Sequence, residues 1–402
     1  MDIDWKEVSE YVRRIPSKFN YLLILQTFPL LFISSMLIKE MNPALFHKQM
    51  IYYIIGAIAF TISVFIPWKR ILWWFAPASY FINISLLVAV EFVGHKVLGA
   101  QRWIKLPGLD FTVQPSEFIK VSVILMLGFM IIHKPPPNKG YGFLDFAVLS
   151  AVIMIPFILI AKEPDLGTAL VLLMAGYGIL FLAGINWKVI ISIIALLGLF
   201  APLLYNNLHS YQKKRISDFV NKPSYHVQQA LIAIGSGGLK GKDEAEATQT
   251  QLKFLPISTS DFIFAYLGER LGFTGMLTVI TLYILLIIHL LKISRIYSKD
   301  HLITTVASGM AFLFFIYMGV NIYMIIGLAP VVGVPLPMFS HGGTSFIIFS
   351  VLFGILINLI AVKSYKEYNA DSKLTMMKKE PIQRSMKVST HKKRKHSSRS
   401  II

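Results

Sequence analysis

Long apolar stretches separated by short polar segments dominate the chain from residue 20 onwards. An apolar run of about 20 residues is long enough to cross a hydrocarbon core about 30 Å thick as an α-helix. By this length rule we count about ten runs, at 20–38, 48–67, 71–94, 118–133, 145–161, 166–184, 188–206, 275–292, 303–325 and 344–363. The pattern predicts an all-α polytopic membrane protein with about ten transmembrane helices. A long loop, at 207–272, separates the seventh and eighth predicted spans.

The composition of the chain agrees with that fold class. Of 402 residues, 55% are hydrophobic and 15% are charged, whereas a soluble domain carries about 25% charged residues. The chain contains no cysteine, which excludes disulfides, thiolate metal sites and cysteine nucleophiles.

The distribution of lysine and arginine predicts the orientation in the membrane. Positive residues cluster in alternate connecting segments, at 6–18, 69–70, 134–139, 188 and 292–299, and again in the tail. Because such charges stay in the cytoplasm, both termini are predicted to be cytoplasmic and the 207–272 loop to be extracytoplasmic. The loop before the fourth span breaks this rule, since it places Lys96, Arg102 and Lys105 on the outer side.

The same patterns divide the chain into three regions. Residues 1–19 are predicted to form a cytoplasmic interfacial segment, 20–365 the transmembrane domain that carries any chemistry, and 366–402 a basic, disordered cytoplasmic tail. The net charge of +18 is concentrated in that tail. Beside a membrane, attraction to anionic lipid headgroups explains this charge more simply than nucleic-acid binding does.

The end of the long loop places an acidic residue, Asp261, just before the eighth span. We predict a helix from Ser260 to Leu271, capped by Ser260 and closed by Gly272. Asp261 would then either stabilise the helix N-terminus or act as a general base at the outer membrane surface. No second carboxylate stands at a suggestive spacing, so a glycosidase built on an acid and base pair is disfavoured.

Charged residues near the predicted outer ends of the spans could stabilise an anionic leaving group such as a diphosphate. Arg102 and Lys105 precede the fourth span, and the guanidinium group suits phosphate well. Glu117 and Lys120 lie on one helix face because they are three residues apart. For this second pair, a structural ion pair within the bundle is the alternative interpretation.

Two further segments are candidates for the same outer cavity. Lys162 and Asp165 flank a charged break between the fifth and sixth spans. Ser340 and His341 end a segment rich in proline and glycine, which indicates either re-entrant chain that lines a cavity or a rigid outer plug. The histidines lack the spacing of metal ligands, so no metal site is predicted.

Four sequence blocks in this order resemble the SEDS family (shape, elongation, division and sporulation) over residues 20–365. The blocks are GAQRWI at 99–104, QPSE at 114–117, PDLGT at 164–168 and SHGGTS at 340–345. A fifth block, TQTQLKFLP at 248–256, is similar to the elongation type of the family rather than the division type.

The resemblance implies a peptidoglycan glycosyltransferase in the bacterial cytoplasmic (inner) membrane. Such enzymes polymerise lipid II, an undecaprenyl-linked disaccharide-pentapeptide, into β-1,4-linked glycan strands on the outer membrane face, for cell elongation and rod shape. The implied partners are a class B penicillin-binding transpeptidase and other elongation-complex membrane proteins, with no nucleic acid. No cofactor is required by the resemblance, although a divalent cation (Mg²⁺ or Mn²⁺) would assist the diphosphate.

The resemblance also assigns roles to residues. The family's essential aspartate falls on Asp261, the predicted catalytic base. Its cavity charges fall on Arg102, Glu117 and Lys120, and its PDLG acid falls on Asp165. The predicted substrate-binding residues are Arg102, Lys105, Glu117, Lys120, Lys162, Asp165, Ser340 and His341. The chain departs from the family pattern where Ile257 replaces a usual Glu, His341 a usual Tyr and Arg270 a usual Glu.

Two other classes of function fit parts of the sequence. A transporter that flips a lipid-linked cell-wall precursor would also have many spans, prolines and intramembrane charges. It would, however, need charged groups accessible from both sides and would not need an acid in a long exported loop. A scaffold for an elongation complex is the third interpretation, and it predicts that Asp261 is dispensable.

Overall fold

The computed structural model describes residues 19–97, 100–105, 112–163, 165–189, 224–247 and 259–364, together with residues 191–192, 195, 199, 213 and 249. The chain divides into two units, one made of residues 21–356 and the other of residues 1–20 and 357–402. The predicted interfacial segment, at 1–19, and the basic tail fall almost wholly outside the described residues. The long unit contains every candidate site residue.

Eleven α-helices and three short strands are described in the chain. The helices are α1 (Tyr21–Leu25), α2 (Phe28–Met41), α3 (Pro43–Phe65), α4 (Trp68–Val93), α5 (Pro115–His133), α6 (Phe143–Lys162), α7 (Leu166–Gly184), α8 (Tyr225–Gly237), α9 (Ile263–Ile296), α10 (His301–Ile325) and α11 (Gly343–Ser364). The strands are β1 (His95–Val97), β2 (Ala100–Lys105) and β3 (Thr112–Val113). A 3₁₀ turn, Glu244–Glu246, follows α8.

The helices confirm the prediction of an all-α polytopic membrane protein. Within the described residues, nine helical stretches are long and apolar enough to cross a membrane, with α1 and α2 counted as one. They coincide with nine of the ten apolar runs. The tenth run, 188–206, falls largely outside the described residues.

The middle of the described helical unit is formed by α5 and α10. Both helices bury side chains on most of their faces, whereas most of α3 and α4 remains exposed. Because their side chains are buried on most faces, α5 and α10 are enclosed by other helices rather than by lipid. α5 packs against α4 and α10, and α10 packs against α7 and α9.

A small antiparallel sheet, ordered β1-β2-β3, lies between α4 and α5. Ile104 pairs with Val113, and Lys105 pairs with Thr112. The sequence pattern predicts only a loop for this segment. Pairing fixes the course of β2 and therefore the position of Arg102, which lies in that strand.

The helix after Asp261 begins later than predicted, but its first segment ends at Gly272 as predicted. It begins at Ile263 with Phe262 as the N-cap residue, so the predicted cap at Ser260 is wrong and Asp261 precedes the helix. At Gly272 the backbone leaves the helical conformation with φ 63° and ψ −163°. Gly272 therefore closes a short first helical segment, as predicted, before the spanning part of α9 continues.

The kink at Gly272 is built around close backbone contact with the loop after α8. Phe273 N donates to Gly238 O at 2.9 Å, and Thr274 N donates to Leu239 O at 3.2 Å. A Cβ atom at position 272 would collide with the backbone of Leu239 and Gly241. Only glycine satisfies both the dihedral angles and the space at this position.

We expect Gly272→Ala to lower the unfolding temperature of the purified protein. The φ/ψ region at position 272 costs a non-glycine residue about 1–3 kcal/mol, and the backbone collision adds to that. Gly235→Ala is the matched control, because it lies in α8 with no atom within 4 Å of an added Cβ. Equal unfolding temperatures for the two variants, measured by differential scanning fluorimetry in detergent, would contradict the role assigned to Gly272.

Candidate active site

Asp261 lies in a turn held from one side by the proline- and glycine-rich segment after α10. His341 N donates to Thr259 O at 3.0 Å. Ser340 Oγ donates to Ser260 O at 2.7 Å and accepts from Leu336 N at 2.8 Å. The predicted site residues Ser340 and His341 are thus brought next to Asp261, where Ser340 contacts Ser260 through its side-chain hydroxyl and His341 contacts Thr259 through its backbone N–H.

Asn321, near the end of α10, also holds the turn that contains Asp261 through hydrogen bonds. Its side-chain Nδ2 donates to Asp261 O at 2.8 Å and to Val334 O at 2.7 Å. Asn321 is fully buried, so these two bonds replace water for both carbonyl groups. In the sequence, Asn321 begins the candidate proline- and glycine-rich segment, but no site role is predicted for it, although a polar residue at the end of an apolar helix is itself a signal.

The carboxylate of Asp261 is half-buried and lies beside the backbone of Gly333. A Cβ atom at position 333 would stand 3.3 Å from Asp261 Oδ2, and Gly333 has a φ of +72°. Burial raises the pKa of Asp261 to about 6, with Asp165 adding to the rise, while the Ser260 hydrogen bond and Arg102 lower it. The carboxyl group is therefore mostly ionised at pH 7 and able to accept a proton.

Arg102 and Asp165 meet next to this turn. Arg102 Nη1 lies 3.6 Å from Asp165 Oδ1, and Arg102 Nε donates to Glu163 O at 3.3 Å. Asp165 also accepts from Gln114 Nε2 at 3.1 Å and from Thr168 N at 3.3 Å, the second contact being an N-cap for α7. Strand β2, the α6–α7 junction and the start of α5 are joined through this one carboxylate.

The predicted pair on α5 forms as an ion pair inside the bundle. Lys120 Nζ donates to Glu117 Oε1 at 2.6 Å and also to the hydroxyl of Tyr317 on α10. Lys120 is only 1% exposed. The structural-pair interpretation thus describes the contacts in this structure, and substrate binding by Glu117 and Lys120 stays a prediction.

The remaining two predicted cations are placed differently. Lys162 is exposed at the end of α6, and the salt bridge of Asp165 is made with Arg102 rather than with Lys162. Lys105 ends β2, but its side chain lies outside what the structure describes.

His341 combines burial with an unused ring nitrogen. Its Nε2 has no hydrogen-bond partner among the described residues. Burial, and then the charge of Lys48, lowers the pKa of the imidazole. A neutral ring is therefore expected at pH 7, able to donate or accept one hydrogen bond.

Comparison with known proteins decides the family. A profile for the FtsW/RodA/SpoVE family, described as "Cell cycle protein", matches residues 17–365. The chain is 47% identical over 359 residues to "Peptidoglycan glycosyltransferase MrdB" of Helicobacter pylori strain 26695, covering 89% of this chain and 94% of that one. It is 40% identical over 313 residues to the protein of the same name in Escherichia coli K12, covering 76% and 82%.

The chain belongs to the FtsW/RodA/SpoVE family. A solved structure supports the fold of this SEDS protein, with a TM-score of 0.74 at 24% identity over 85% of this chain and 97% of the other. That structure is described as "Structural coordination of polymerization and crosslinking by a peptidoglycan synthase complex". The resemblance inferred from the four sequence blocks is confirmed.

Glu163 is a site residue of this SEDS chain that the sequence analysis missed. It is 3% exposed, and neither carboxylate oxygen has a hydrogen-bond partner in the described part of the chain. Burial and the adjacent charge of Asp165 raise its pKa to about 8, with Glu91 adding to the rise and Arg102 opposing it. Glu163 is therefore mostly protonated at pH 7, and the salt bridge of Arg102 is made with Asp165.

Arg270, where the family pattern has a Glu, makes a bidentate ion pair with the end of α2. Its Nε and Nη2 donate to the two oxygens of Glu40 at 2.8 and 3.0 Å. Tyr266 donates to the same carboxylate at 2.9 Å, and Arg270 also donates to the carbonyl of Lys242. We call these residues the Glu40 clamp (Glu40, Tyr266, Arg270). It ties the short helical segment after Asp261 to α2 and to the loop after α8.

We expect Glu163→Gln to stabilise the protein increasingly as the pH rises from 5 to 8. The folded-state pKa of about 8 lies above the usual value of 4.5, so between these values folding takes up a proton and stability falls with rising pH. Glutamine does not titrate, so that loss is absent. Unfolding temperatures at pH 5 and pH 8 measure the effect. For the exposed control Glu244→Gln, the difference in unfolding temperature from wild type should be the same at pH 5 and at pH 8. A pH-independent effect of Glu163→Gln would refute the protonated state.

Exchanging the charges of Glu40 and Arg270 should show whether these two side chains stabilise the fold as an interacting pair. Arg270→Glu alone places like charges face to face and should lower stability by about 2–4 kcal/mol, since removing one partner of a largely buried pair leaves the other uncompensated. The double variant Glu40→Arg with Arg270→Glu should recover part of the loss, by at least about 1 kcal/mol. A double-mutant cycle on unfolding temperatures provides the measurement, and additive losses would show that the pair does not couple.

Proposed function

We infer that the chain is a peptidoglycan glycosyltransferase, and we propose that it polymerises lipid II for cell elongation and rod shape with Asp261 as general base. Relatives that carry the glycosyltransferase name match most of both chains at 40% and 47% identity. The observation that carries the chemical part is the half-buried carboxylate of Asp261, whose pKa is raised to about 6 by burial, with Arg102 opposing the rise.

The proposed reaction is a single displacement at the anomeric carbon of the donor sugar. Asp261 takes the proton of the 4-hydroxyl of the acceptor N-acetylglucosamine as its oxygen attacks C1 of the donor N-acetylmuramic acid. The new C1–O4 bond forms with inversion, giving a β-1,4 linkage. The bond from C1 to the diphosphate oxygen breaks, and its electron pair leaves with undecaprenyl diphosphate. One base suffices because the leaving group needs no proton.

Arg102 is the residue we assign to the negative charge that develops on the diphosphate. Its contacts with the α6–α7 junction fix the guanidinium in place before substrate arrives, which is the arrangement that electrostatic stabilisation requires. Lys105, Lys162 and Lys120 remain further candidates for that charge, and Glu117 would orient Lys120. Ser340 and His341 support the turn that carries Asp261, and we propose that the neutral imidazole also meets the substrate.

A divalent cation, Mg²⁺ or Mn²⁺, would neutralise the same diphosphate. Among the described residues, no three Asp, Glu or His side chains come together as a metal site. The steps above are therefore assigned to protein side chains alone, and a cation would arrive bound to the substrate.

We propose that the site faces the outside of the cell and that both termini are cytoplasmic. The ends of α4, α6 and α10, and the starts of α5, α7 and α9, lead to Arg102, Asp165 and Asp261. The opposite ends of these helices carry the lysines at 69, 134, 139 and 299. The positive-inside rule places those lysines in the cytoplasm and the candidate active site on the extracytoplasmic face of the bacterial inner membrane.

We further propose that the chain works beside a class B penicillin-binding transpeptidase and other elongation-complex proteins. The support is the fold that it shares with a chain from a complex described as coordinating polymerization and crosslinking. A glycan strand made at the outer membrane surface is the substrate that such a crosslinking enzyme consumes. Flipping of a lipid-linked precursor is less well supported, because the candidate charges gather at one end of the helices.

We expect Asp261→Asn to reduce lipid II polymerisation by the purified full-length protein by about 10²–10⁴-fold, the range typical for loss of a general base. Asp243→Asn, an exposed change of the same kind in the same loop, should keep the wild-type rate. Wild-type activity should also fall as the pH drops through about 6, where Asp261 gains a proton. Gel analysis of the glycan products measures all three, and normal polymerisation by Asp261→Asn would refute the base assignment. Lipid movement without a new glycosidic bond would instead favour the transporter.

A further inference from the structure

A pocket lies at the helix ends opposite the candidate active site. It has a volume of about 370 Å³ and is formed where α4 begins, α5 ends and α10 begins. Four basic side chains contribute to its lining, namely Lys69, His133, Lys299 and His301. The glycosyltransferase reaction proposed above makes no use of any of them.

The single carboxylate in the pocket lining is already engaged. Asp300 Oδ2 accepts from Lys69 Nζ at 2.5 Å, and Asp300 Oδ1 accepts from Ile303 N at 3.3 Å as the N-cap of α10. Lys299, by contrast, is exposed and has no salt-bridge partner in the described part of the chain. With both histidines neutral the lining carries one excess positive charge, and protonation of either histidine increases it.

Apolar side chains stand directly beside these cations. Trp73 is 63% exposed and Ile132 is 41% exposed, and both line the pocket. In a spanning helix such residues near the end face the lipid rather than water, and tryptophan favours the headgroup level of the bilayer. The pocket therefore presents positive charge and an apolar wall to the same ligand.

We propose that this pocket binds the headgroup of an anionic phospholipid, of the phosphatidylglycerol or cardiolipin type, with its acyl chains against Trp73 and Ile132. A lipid phosphate accepts hydrogen bonds from lysine and histidine, and basic pockets between transmembrane helices are suited to such headgroups. A free phosphate ion would leave the apolar wall exposed to water, so the amphipathic ligand fits better. The orientation proposed above places the pocket in the cytoplasmic leaflet.

Lipid binding here would join helices that carry the candidate active site at their other ends. Lys69 belongs to α4, His133 to α5, and Lys299 and His301 to the start of α10. At the opposite ends, α5 follows Gln114 and α10 carries Asn321, both of which contact site residues. A headgroup bound across the three helix ends should raise the stability of the folded protein by mass action.

The test measures unfolding of the full-length protein in detergent with increasing phosphatidylglycerol or phosphatidylcholine, and with glycerol 1-phosphate as the water-soluble headgroup. We expect phosphatidylglycerol to raise the unfolding temperature of wild type, and phosphatidylcholine and glycerol 1-phosphate to have little effect. Lys299→Ala should weaken the response to phosphatidylglycerol about tenfold in half-saturating concentration, because it removes the unpaired cation without disturbing the cap of α10.

Lys139→Ala is the matched control, since this exposed lysine carries the same charge at the same membrane side and lies outside the pocket. It should respond like wild type. Three results would each overturn the site. Lys139→Ala could weaken the response to phosphatidylglycerol as much as Lys299→Ala does. Alternatively, wild type could respond to phosphatidylcholine, or to glycerol 1-phosphate, as strongly as it responds to phosphatidylglycerol. The readout needs no catalysis, so Asp261→Asn should respond like wild type even if the base assignment is wrong.

Discussion

Everything at the candidate active site depends on one amide side chain that pairs two stretches of irregular backbone. At membrane depth, a backbone carbonyl without a hydrogen bond is costly because no water can replace the missing donor. Asn321 supplies one nitrogen to the carbonyl of Asp261 and to that of Val334. Asn321 lies on α10, a central helix. Its hydrogen bonds therefore hold the turn that carries Asp261 in a fixed position relative to the helix bundle. The carboxylate itself remains uncommitted by these contacts.

The second organising constraint is the placement of charge. Three acids lie near the site: Asp165 forms a salt bridge with Arg102, Glu163 is kept mostly protonated by burial, and burial raises the pKa of Asp261 to about 6. Protonation of Glu163 removes one negative charge beside the guanidinium and so reduces the repulsion of an anionic substrate.

Much of the fold could be predicted from sequence because hydrophobic length alone specifies membrane helices. The break at Gly272 was also predictable, since only glycine tolerates that backbone conformation. The start of α9 was not, because the carbonyl groups of its preceding turn are paired by residues 60 to 80 positions away rather than by a local cap. The three short strands were missed because a two-residue strand such as β3 has no periodicity to detect.

The contacts among the predicted site residues could be read from the sequence only in part. The spacing of Glu117 and Lys120 gave their pairing, whereas the partner of Arg270 lies 230 positions away and is visible only in the folded chain. Likewise, nothing in the sequence distinguishes the protonation of Glu163 from that of any other glutamate, because the cause is burial.

The Glu40 clamp has a consequence for exchanging parts between relatives. A chimera that grafts the loop and short helix of a protein with the usual Glu at position 270 onto the first helix of this chain would bring two carboxylates together. The two negative charges would repel each other at the contact that Glu40 and Arg270 make in this chain. Segments exchanged between relatives must therefore be complementary at positions 40 and 270, although these positions lie far apart in the sequence.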